Sequence, residues 1–446
     1  MGKVVEKFRT IQDVLNEIIS ILDKYDPERK FKFPNEEIKR KFEELREKLR
    51  DYIVDIVCGN ELNEAYKWRE ILLKTCEEVK KILGLFDIVF SKELSSFLED
   101  PRRHLKKKIF LYLHDLLRGK VSLEKFSLTA HAAITTSLKT NMRTIYQDWV
   151  FLSILRLLAD RGFSITYPEL GVLSLERHSK QKLGYIPPNA ILTDQEGRAL
   201  SFFIEAPRPI TWEDTHDLEK IWKLYTALRP DMLIYGGSVY NIVKLDSDPP
   251  ILRPNVIIEC KELADWYLRI RYMRGPLAKP LTAEEWRSKW LTGLRVGLAE
   301  ALGIEVKELD KMIETKKTIK LKDEQIVILY KSIYKPDKMF VISRAPTPSD
   351  VKRRLEEFGI EVIDNVGFDY RKLSSVAEYL ENIAAKTTVG KRYDTEDLIR
   401  RLEVTISSRL GKEVDREIIV RALNILVIEN LERLCKIVEE LVKNRE

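Results

Sequence analysis

The chain has 446 residues, which is long enough for two or three domains that each bury a core. Lys and Arg number 77 against 71 Asp and Glu, and the net charge of +6 permits nucleic-acid binding without requiring it. The charge-rich composition resembles that of thermophile proteins. Four widely spaced cysteines argue against a disulfide framework or a structural zinc site, and no signal peptide or membrane-spanning run is recognisable. We therefore expect a cytoplasmic protein with no membrane partner.

The first part of the chain, residues 1–140, has the apolar spacing of a helical domain. Between 36 and 57, apolar residues recur every three or four positions and form one helical stripe. A second stripe runs from 65 to 82, after the polar break at 59–61. Two stripes joined by a short turn predict an antiparallel helical hairpin.

The sequence pattern changes in residues 141–370, where short β-favouring runs alternate with helical ones. This alternation predicts an α/β domain with a mostly covered sheet, and the polar residues 194–197 predict a hairpin. Helices are expected at 148–159, 213–228, 283–301 and 349–358. Strands are expected at 165–167, 190–193, 200–204, 232–235, 256–258, 326–329, 339–342 and 360–363.

The last part, residues 371–446, is again helical in pattern. Asp394 and Asp415 are placed as N-caps of two helices. The chain is therefore expected to have an N-terminal helical domain, a central α/β domain and a C-terminal helical region.

Two strand segments in the α/β part carry the residues that indicate chemistry. Pro230-Asp231 opens the run 232–235, and Glu259-Cys260-Lys261 ends the run that begins at 256. Since alternate strand residues face the same side, Glu259 and Lys261 project together and Cys260 turns into the core. If the two strands are neighbours, Asp231 approaches this pair.

Such a grouping suits a hard divalent cation. Two carboxylates, from Asp231 and Glu259, and the backbone carbonyl of Cys260 are oxygen ligands of the kind that Mg²⁺ prefers, with Mn²⁺ as a substitute. Mg²⁺ lowers the pKa of bound water, and the Lys261 ammonium can orient that water or stabilise negative charge on a phosphate.

Pro230-Asp231 and Glu259-Cys260-Lys261 together resemble the motif of the PD-(D/E)XK nuclease superfamily, and the resemblance extends over roughly 143–365. It implies a restriction-endonuclease-like mixed sheet flanked by helices, metal ligation by Asp231 and Glu259, and catalysis by Lys261. The family often adds an acid on the helix before the first strand, and Asp148 matches this place best. An imperfect copy of the motif has Asn189 in the acid position and Pro207 in the lysine position. It leaves Glu205 open as an auxiliary acid or a solvated strand end.

The motif is short, and Glu305-Val306-Lys307 fits ExK as well. Only 259–261 follows three β-favouring residues and an upstream Pro-Asp strand. The segment after Lys261 interleaves aromatic residues with arginines, a pattern that can stack on bases and contact phosphates. It can equally form a helix with its aromatic residues in the core and its arginines in water. The candidate nucleic-acid contacts are Trp266, Arg269, Arg271, Arg274, Arg287 and Lys289.

A dense basic run at 102–108 is open to two interpretations, a phosphate contact and a solvated helix start. Two hypotheses for the whole chain follow. The first is a Mg²⁺-dependent phosphodiesterase acting on DNA, with RNA left open, an endonuclease favoured over an exonuclease, and a homodimer plausible. The second is a non-catalytic nucleic-acid-binding or assembly protein that keeps an inert nuclease fold.

Overall fold

The computed structural model describes residues 2–176, 185–206, 229–244, 251–272, 289–314, 320–386 and 413–421, with a few isolated positions between them. The chain divides into two compact units. One contains residues 1–77 and 90–152, and the other contains residues 78–89 and 153–446. Residues 141–152 thus belong to the first unit, and the short segment 78–89 belongs to the second.

The first unit is helical, as its sequence predicts. Asn35 caps helix α2 (Glu36–Cys58) by accepting a hydrogen bond from the N–H of Ile38 at 2.9 Å. Helix α2 packs against α1 and α5, and the expected hairpin of α2 with α3 stays a prediction. Helices α3 and α7 continue into the second unit. The helices are α1 (Gly2–Tyr25), α2 (Glu36–Cys58), α3 (Glu61–Leu83), α4 (Lys92–Glu99), α5 (Pro101–Lys108), α6 (Phe110–Leu117) and α7 (Leu123–Ala159).

The second unit is α/β, with a mixed sheet flanked by helices. Its strands are β1 (Asp87–Val89), β2 (Ser164–Tyr167), β3 (Val172–Ser174), β4 (Ala190–Thr193), β5 (Arg198–Ile204), β6 (Met232–Gly236), β7 (Val256–Lys261), β8 (Ile270–Tyr272), β9 (Lys320–Lys322), β10 (Lys338–Ser343), β11 (Ile360–Ile363) and β12 (Ala385–Lys386). Its helices are α8 (Lys289–Leu302), α9 (Val306–Glu314), α10 (Asp323–Tyr334), α11 (Ser349–Glu357) and α12 (Ser374–Ile383).

The main sheet has the order β11-β10-β7-β6-β5-β4-β2, and β12 pairs with β5. Strands β4 to β7 form an antiparallel meander, which begins with the expected hairpin at 194–197. Strand β10 then lies parallel to β7, and β11 lies parallel to β10. A parallel neighbour requires a crossover, and the described part of this crossover contains α8, α9 and α10.

The apolar run 326–329, expected as a strand, lies within helix α10 instead. Gln325 accepts from the N–H of Lys322 at 2.8 Å, and Asp323 and Glu324 occupy the first turn. These signals start a helix, and the helix is buried on nearly all sides. Four consecutive apolar residues therefore identify a buried segment without distinguishing a helix from a strand.

Gly237 follows strand β6 with a positive φ of 91°. Gly236 ends β6, and a side chain there would place its Cβ 2.4 Å from the carbonyl oxygen of Ile383. The last helical region begins as part of the second unit, because β12 pairs with β5. Asp415 caps a helical turn through the N–H of Glu417 at 2.8 Å, whereas Asp394 and the helix expected at 213–228 lie outside the described residues. Within the described residues, no helix combines the length and apolar character of a membrane span.

Candidate active site

Asp231 and Glu259 lie opposite each other on neighbouring antiparallel strands. Met232 pairs with Ile258, and each acid is the next residue outward from this pair. The carboxylate of Asp231 accepts from the N–H of Cys260 at 2.7 Å. In return, the carboxylate of Glu259 accepts from the N–H of Asp231 at 3.2 Å. The two strands expected to carry the acids are therefore neighbours, and both acids are held by backbone groups at one point of the sheet.

Lys261 joins these acids, as the alternation of strand residues predicts. Its ammonium group donates to Glu259 Oε1 at 2.9 Å. Both side chains are buried, with 5% of Glu259 and 2% of Lys261 exposed. The Lys261 ammonium also lies 5.4 Å from the centroid of the Trp266 ring. Burying two charged groups is costly unless they are paired, and this pair is also contacted by an aromatic face.

Cys260 turns into the core between the two charged residues. Its side chain is 4% exposed, and burial, reinforced by the charges of Asp231 and Glu259, raises the pKa of its thiol well above the usual range. The N–H of Cys260 points toward Asp231. The N–H and C=O of one strand residue point to the same side of the strand, so the carbonyl of Cys260 also faces Asp231.

The pKa of Asp231 is raised by its surroundings. Burial is the largest cause that raises its pKa well above the usual range, and the charge of Glu259 is the next. Lys261 and the Cys260 N–H lower the pKa, while Glu205 raises it. An additional positive charge at this point would relieve the repulsion between these carboxylates.

Glu205 lies beside this group. It follows β5, its backbone has a positive φ of 46°, and its N–H donates to the carbonyl of Asp231 at 2.9 Å. The sequence left the role of Glu205 open, and the structure places it next to Asp231. In the imperfect motif copy, the amide of Asn189 accepts from the N–H of Ile204 at 2.8 Å and donates to the carbonyl of Ser174 at 3.0 Å. A carboxylate could not make this donation, which explains the asparagine.

Arg344 was not singled out from the sequence. It follows β10, and its N–H donates to the carbonyl of Lys261 at 2.9 Å. Its Nε donates to the carbonyl of Glu262 at 2.7 Å. The available signal was its position after a buried strand, but the parallel pairing of β10 with β7 is a long-range contact that the sequence does not show.

Asp148 lies on α7 within the first unit and is 2% exposed. The acids discussed above belong to the second unit, so the catalytic role assigned to Asp148 stays a prediction. Among the described residues, no group of three or more His, Cys, Asp and Glu side chains is arranged to hold a metal ion. The ligands expected from the sequence are the carboxylates of Asp231 and Glu259 and the backbone carbonyl of Cys260. Only two of these three ligands are side chains, so they do not form a group of three side chains.

No protein family, curated protein or solved structure matches this chain.

The candidate nucleic-acid residues divide into three groups. The ring of Trp266 is 1% exposed and lies in the core, so it does not present a face for stacking on a base. Arg269 is exposed, after a short 3-10 turn at Trp266–Leu268 rather than the expected helix. The side chains of Arg271 and Lys289 lie outside the described part of the structure, as do Arg274 and Arg287 entirely.

The basic run 102–108 belongs to the first unit and is largely neutralised there. Arg102 contacts Asp55 at 2.5 Å, and Lys106 contacts both Glu47 and Asp51 at 3.1 Å. Lys108 pairs with Glu93. The sequence left two interpretations of this run open, a phosphate contact and a solvated helix start. The structure shows side chains that are paired with acids of the same unit.

Proposed function

We propose that this protein is a metal-dependent nuclease that hydrolyses phosphodiester bonds, with DNA as the substrate. The observation that carries the proposal is the convergence of Asp231, Glu259 and Lys261 at one point of the sheet, on backbone hydrogen bonds of 2.7 and 3.2 Å and an ion pair of 2.9 Å. A buried Asp231 whose pKa is raised by burial and then by the charge of Glu259 is difficult to explain as a contribution to stability.

The strand topology supports a restriction-endonuclease-like assignment. Strands β5, β6 and β7 form an antiparallel meander, helices follow, and β10 returns parallel to β7. The acids lie on the second and third strands of this meander. This order agrees with the resemblance to the PD-(D/E)XK superfamily that the motif residues suggest.

The donor set fits a hard divalent cation. Asp231 and Glu259 offer carboxylate oxygens, and the Cys260 carbonyl faces the same side. The pKa of Asp231 is raised first by burial and then by the charge of Glu259, and a bound cation would favour its ionised form. When bound, Mg²⁺ supplies a Lewis acid for the phosphate and lowers the pKa of a water molecule. Glu205 is placed to add negative charge around the ion.

Lys261 is the residue that we expect to act on the reacting groups. Its ammonium, held by Glu259 and faced by Trp266, can donate to a phosphate oxygen or orient the attacking water. Because the group is buried, its interaction with developing negative charge is stronger than it is in water. A double-strand cut would need a second centre of this kind, which a homodimer would supply.

The test is a cleavage assay on plasmid, linear duplex, single-stranded DNA and RNA, with Mg²⁺ or Mn²⁺. We expect Asp231→Ala and Lys261→Ala to lose about 10²-fold or more of the rate. A matched control is the double variant Glu305→Ala, Lys307→Ala, because these exposed residues have the same ExK spacing outside the site. Cleavage that persists in Asp231→Ala and Lys261→Ala would remove the assignment. Salt-sensitive binding without cleavage of any substrate would favour a non-catalytic nucleic-acid-binding protein.

A further inference from the structure

The segment that leaves the catalytic strand forms a small ribbon on the surface of the second unit. Strand β8 pairs with β9 in antiparallel register, with Ile270 opposite Lys322 and Arg271 opposite Leu321. The N–H of Asp323 donates to the carbonyl of Arg269 at 3.0 Å, which fixes the start of the ribbon to helix α10.

One face of this ribbon is in the core and the other is exposed. Leu321 is fully buried in the main cluster of the second unit. Because directly opposed residues and alternate residues of a strand share a face, Ile270, Lys322 and Lys320 lie on the face opposite to Leu321. Lys320 and Lys322 are exposed, and 55% of Ile270 is exposed.

The residues just before the ribbon continue this surface. Leu268 is 61% exposed and Arg269 is also exposed, so the sequence has one exposed arginine between two exposed aliphatic residues, Leu268 and Ile270. Leu268 and Ile270 are exposed aliphatic residues two positions apart in the sequence. Here they lie among cations, whereas a protein-docking patch has an apolar centre that is depleted of charge.

The ribbon lies close to the candidate active site. The ring of Trp266 faces the Lys261 ammonium at 5.4 Å. Chain length alone keeps the Cα of Leu268 within about 7 Å of the Cα of Trp266. Leu268 and Arg269 thus follow, by two and three residues, the ring that contacts Lys261.

We propose that the exposed face of this ribbon, with Leu268 and Arg269, binds double-stranded DNA next to the phosphate that is cut. Arg269 and Lys322 contact backbone phosphates, and Leu268 and Ile270 press against a base step and open it. Aliphatic wedges inserted from the minor groove unstack base steps, and β-ribbon proteins bind DNA in the minor as well as the major groove. This inference rests on the proposed nuclease function and assigns it a substrate that is distorted at the cut.

Binding is measured by fluorescence anisotropy of a labelled duplex in EDTA, over a range of salt concentrations, so that cleavage does not enter. Replacing Lys322 by Gln should weaken binding and lower the slope of log K against log salt by about one unit, because each phosphate contact releases a counterion. Lys386→Gln is the matched control, since Lys386 is an exposed lysine on β12. Its slope should equal that of the wild type.

The wedge is tested with 2-aminopurine in the duplex, whose fluorescence rises when its base is unstacked. The double variant Leu268→Ser, Ile270→Ser should abolish this rise, whereas Ile418→Ser, at a side chain that is 59% exposed, should retain it. The ribbon assignment would be overturned if Lys322→Gln kept the wild-type salt slope, or if the double variant kept the fluorescence rise. Cleavage by the wild type would in that case still support the nuclease proposal. A wild type that neither binds nor cleaves any nucleic acid would overturn both this inference and the nuclease proposal.

Discussion

The backbone N–H of Glu205 donates a hydrogen bond to the carbonyl oxygen of Asp231 at 2.9 Å. This bond ties the end of β5 to the residue that opens β6, and Glu205 makes it with a left-handed backbone at φ 46°. A residue with a side chain pays about 1 kcal/mol or more for this conformation. With this backbone conformation, the carboxylate of Glu205 lies close enough to Asp231 to raise its pKa.

Replacing Glu205 separates the backbone cost from the charge. Glu205→Ala removes the carboxylate and keeps the strained conformation, whereas Glu205→Gly removes both. We expect the glycine variant to be more stable than the alanine variant by about 0.5–1 kcal/mol, because glycine adopts positive φ without a steric penalty. Urea unfolding at neutral pH measures the difference. Equal stability, or a more stable alanine variant, would show that the left-handed backbone carries no cost.

Asp231→Asn should stabilise the metal-free protein at neutral pH. Burial and the charge of Glu259 raise the pKa of Asp231, so the folded state favours the protonated acid. Its contribution to stability is therefore present at pH below the unfolded pKa, near 3.9, and is lost as pH rises through the folded pKa. Each unit of elevation corresponds to ~1.4 kcal/mol, and an asparagine oxygen can still accept from the Cys260 N–H.

The measurement is thermal unfolding in EDTA at pH 8 and pH 4. The midpoint of Asp231→Asn should exceed that of the wild type at pH 8, and the gap should close at pH 4. Asp194→Asn is a control of opposite sign. Burial alone would raise the pKa of Asp194, but hydrogen bonds from the Arg198 N–H and side chain lower it overall. A lower midpoint for Asp231→Asn at pH 8 would contradict the assignment of unbalanced charge.

The local parts of the site could be predicted from the sequence, because they depend on strand alternation. Glu259 and Lys261 are two residues apart and meet at 2.9 Å, while Cys260 between them is buried. The approach of Asp231 required only that two successive strands be neighbours, which is common in a meander. The hairpin at 194–197 and strands β4, β6 and β10 follow their apolar runs for the same reason.

The remaining features depend on long-range packing. The run 326–329 gives no helical period in the sequence because helix α10 is buried on nearly every side, so the run could not be distinguished from a strand. Trp266 is in the core, although a binding segment that interleaves aromatic and basic residues predicts an exposed ring. Ile270 is exposed instead. Arg344 reaches the carbonyl of Lys261 only through a parallel pairing across a long crossover.

The buried ring of Trp266 has a consequence for cleavage. It faces the Lys261 ammonium at 5.4 Å, and a desolvated contact of this kind contributes up to about 2 kcal/mol. Under the proposed function, Trp266→Leu should therefore lower the single-turnover cleavage rate about 10-fold, and Trp266→Phe should lower it less. Circular dichroism controls for folding, since both variants lose buried volume. Equal rates for the leucine and phenylalanine variants would argue that the aromatic face does not act on Lys261.

His104 should make the stability of the first unit depend on pH. The ring is 3% exposed, and its Nε2 lies 3.1 Å from both Glu93 and Ser137. Within the described residues, its buried Nδ1 has no hydrogen-bond partner, so a proton added there would find no acceptor. Burial is the largest cause that lowers the pKa of His104, and Lys108 lowers it further against the opposing charge of Glu93.

A lowered pKa means that folding disfavours the protonated ring. The contribution of His104 to stability is thus complete above the unfolded pKa, near 6.5, and is lost as pH falls toward the folded pKa, by up to ~1.4 kcal/mol per pH unit. Urea unfolding at pH 8.0, 6.5 and 5.0 should show this loss in the wild type and a flatter profile in His104→Gln. The exposed His131, replaced by Gln, should leave the wild-type profile unchanged. An equally steep loss in His104→Gln would assign the pH dependence to other groups.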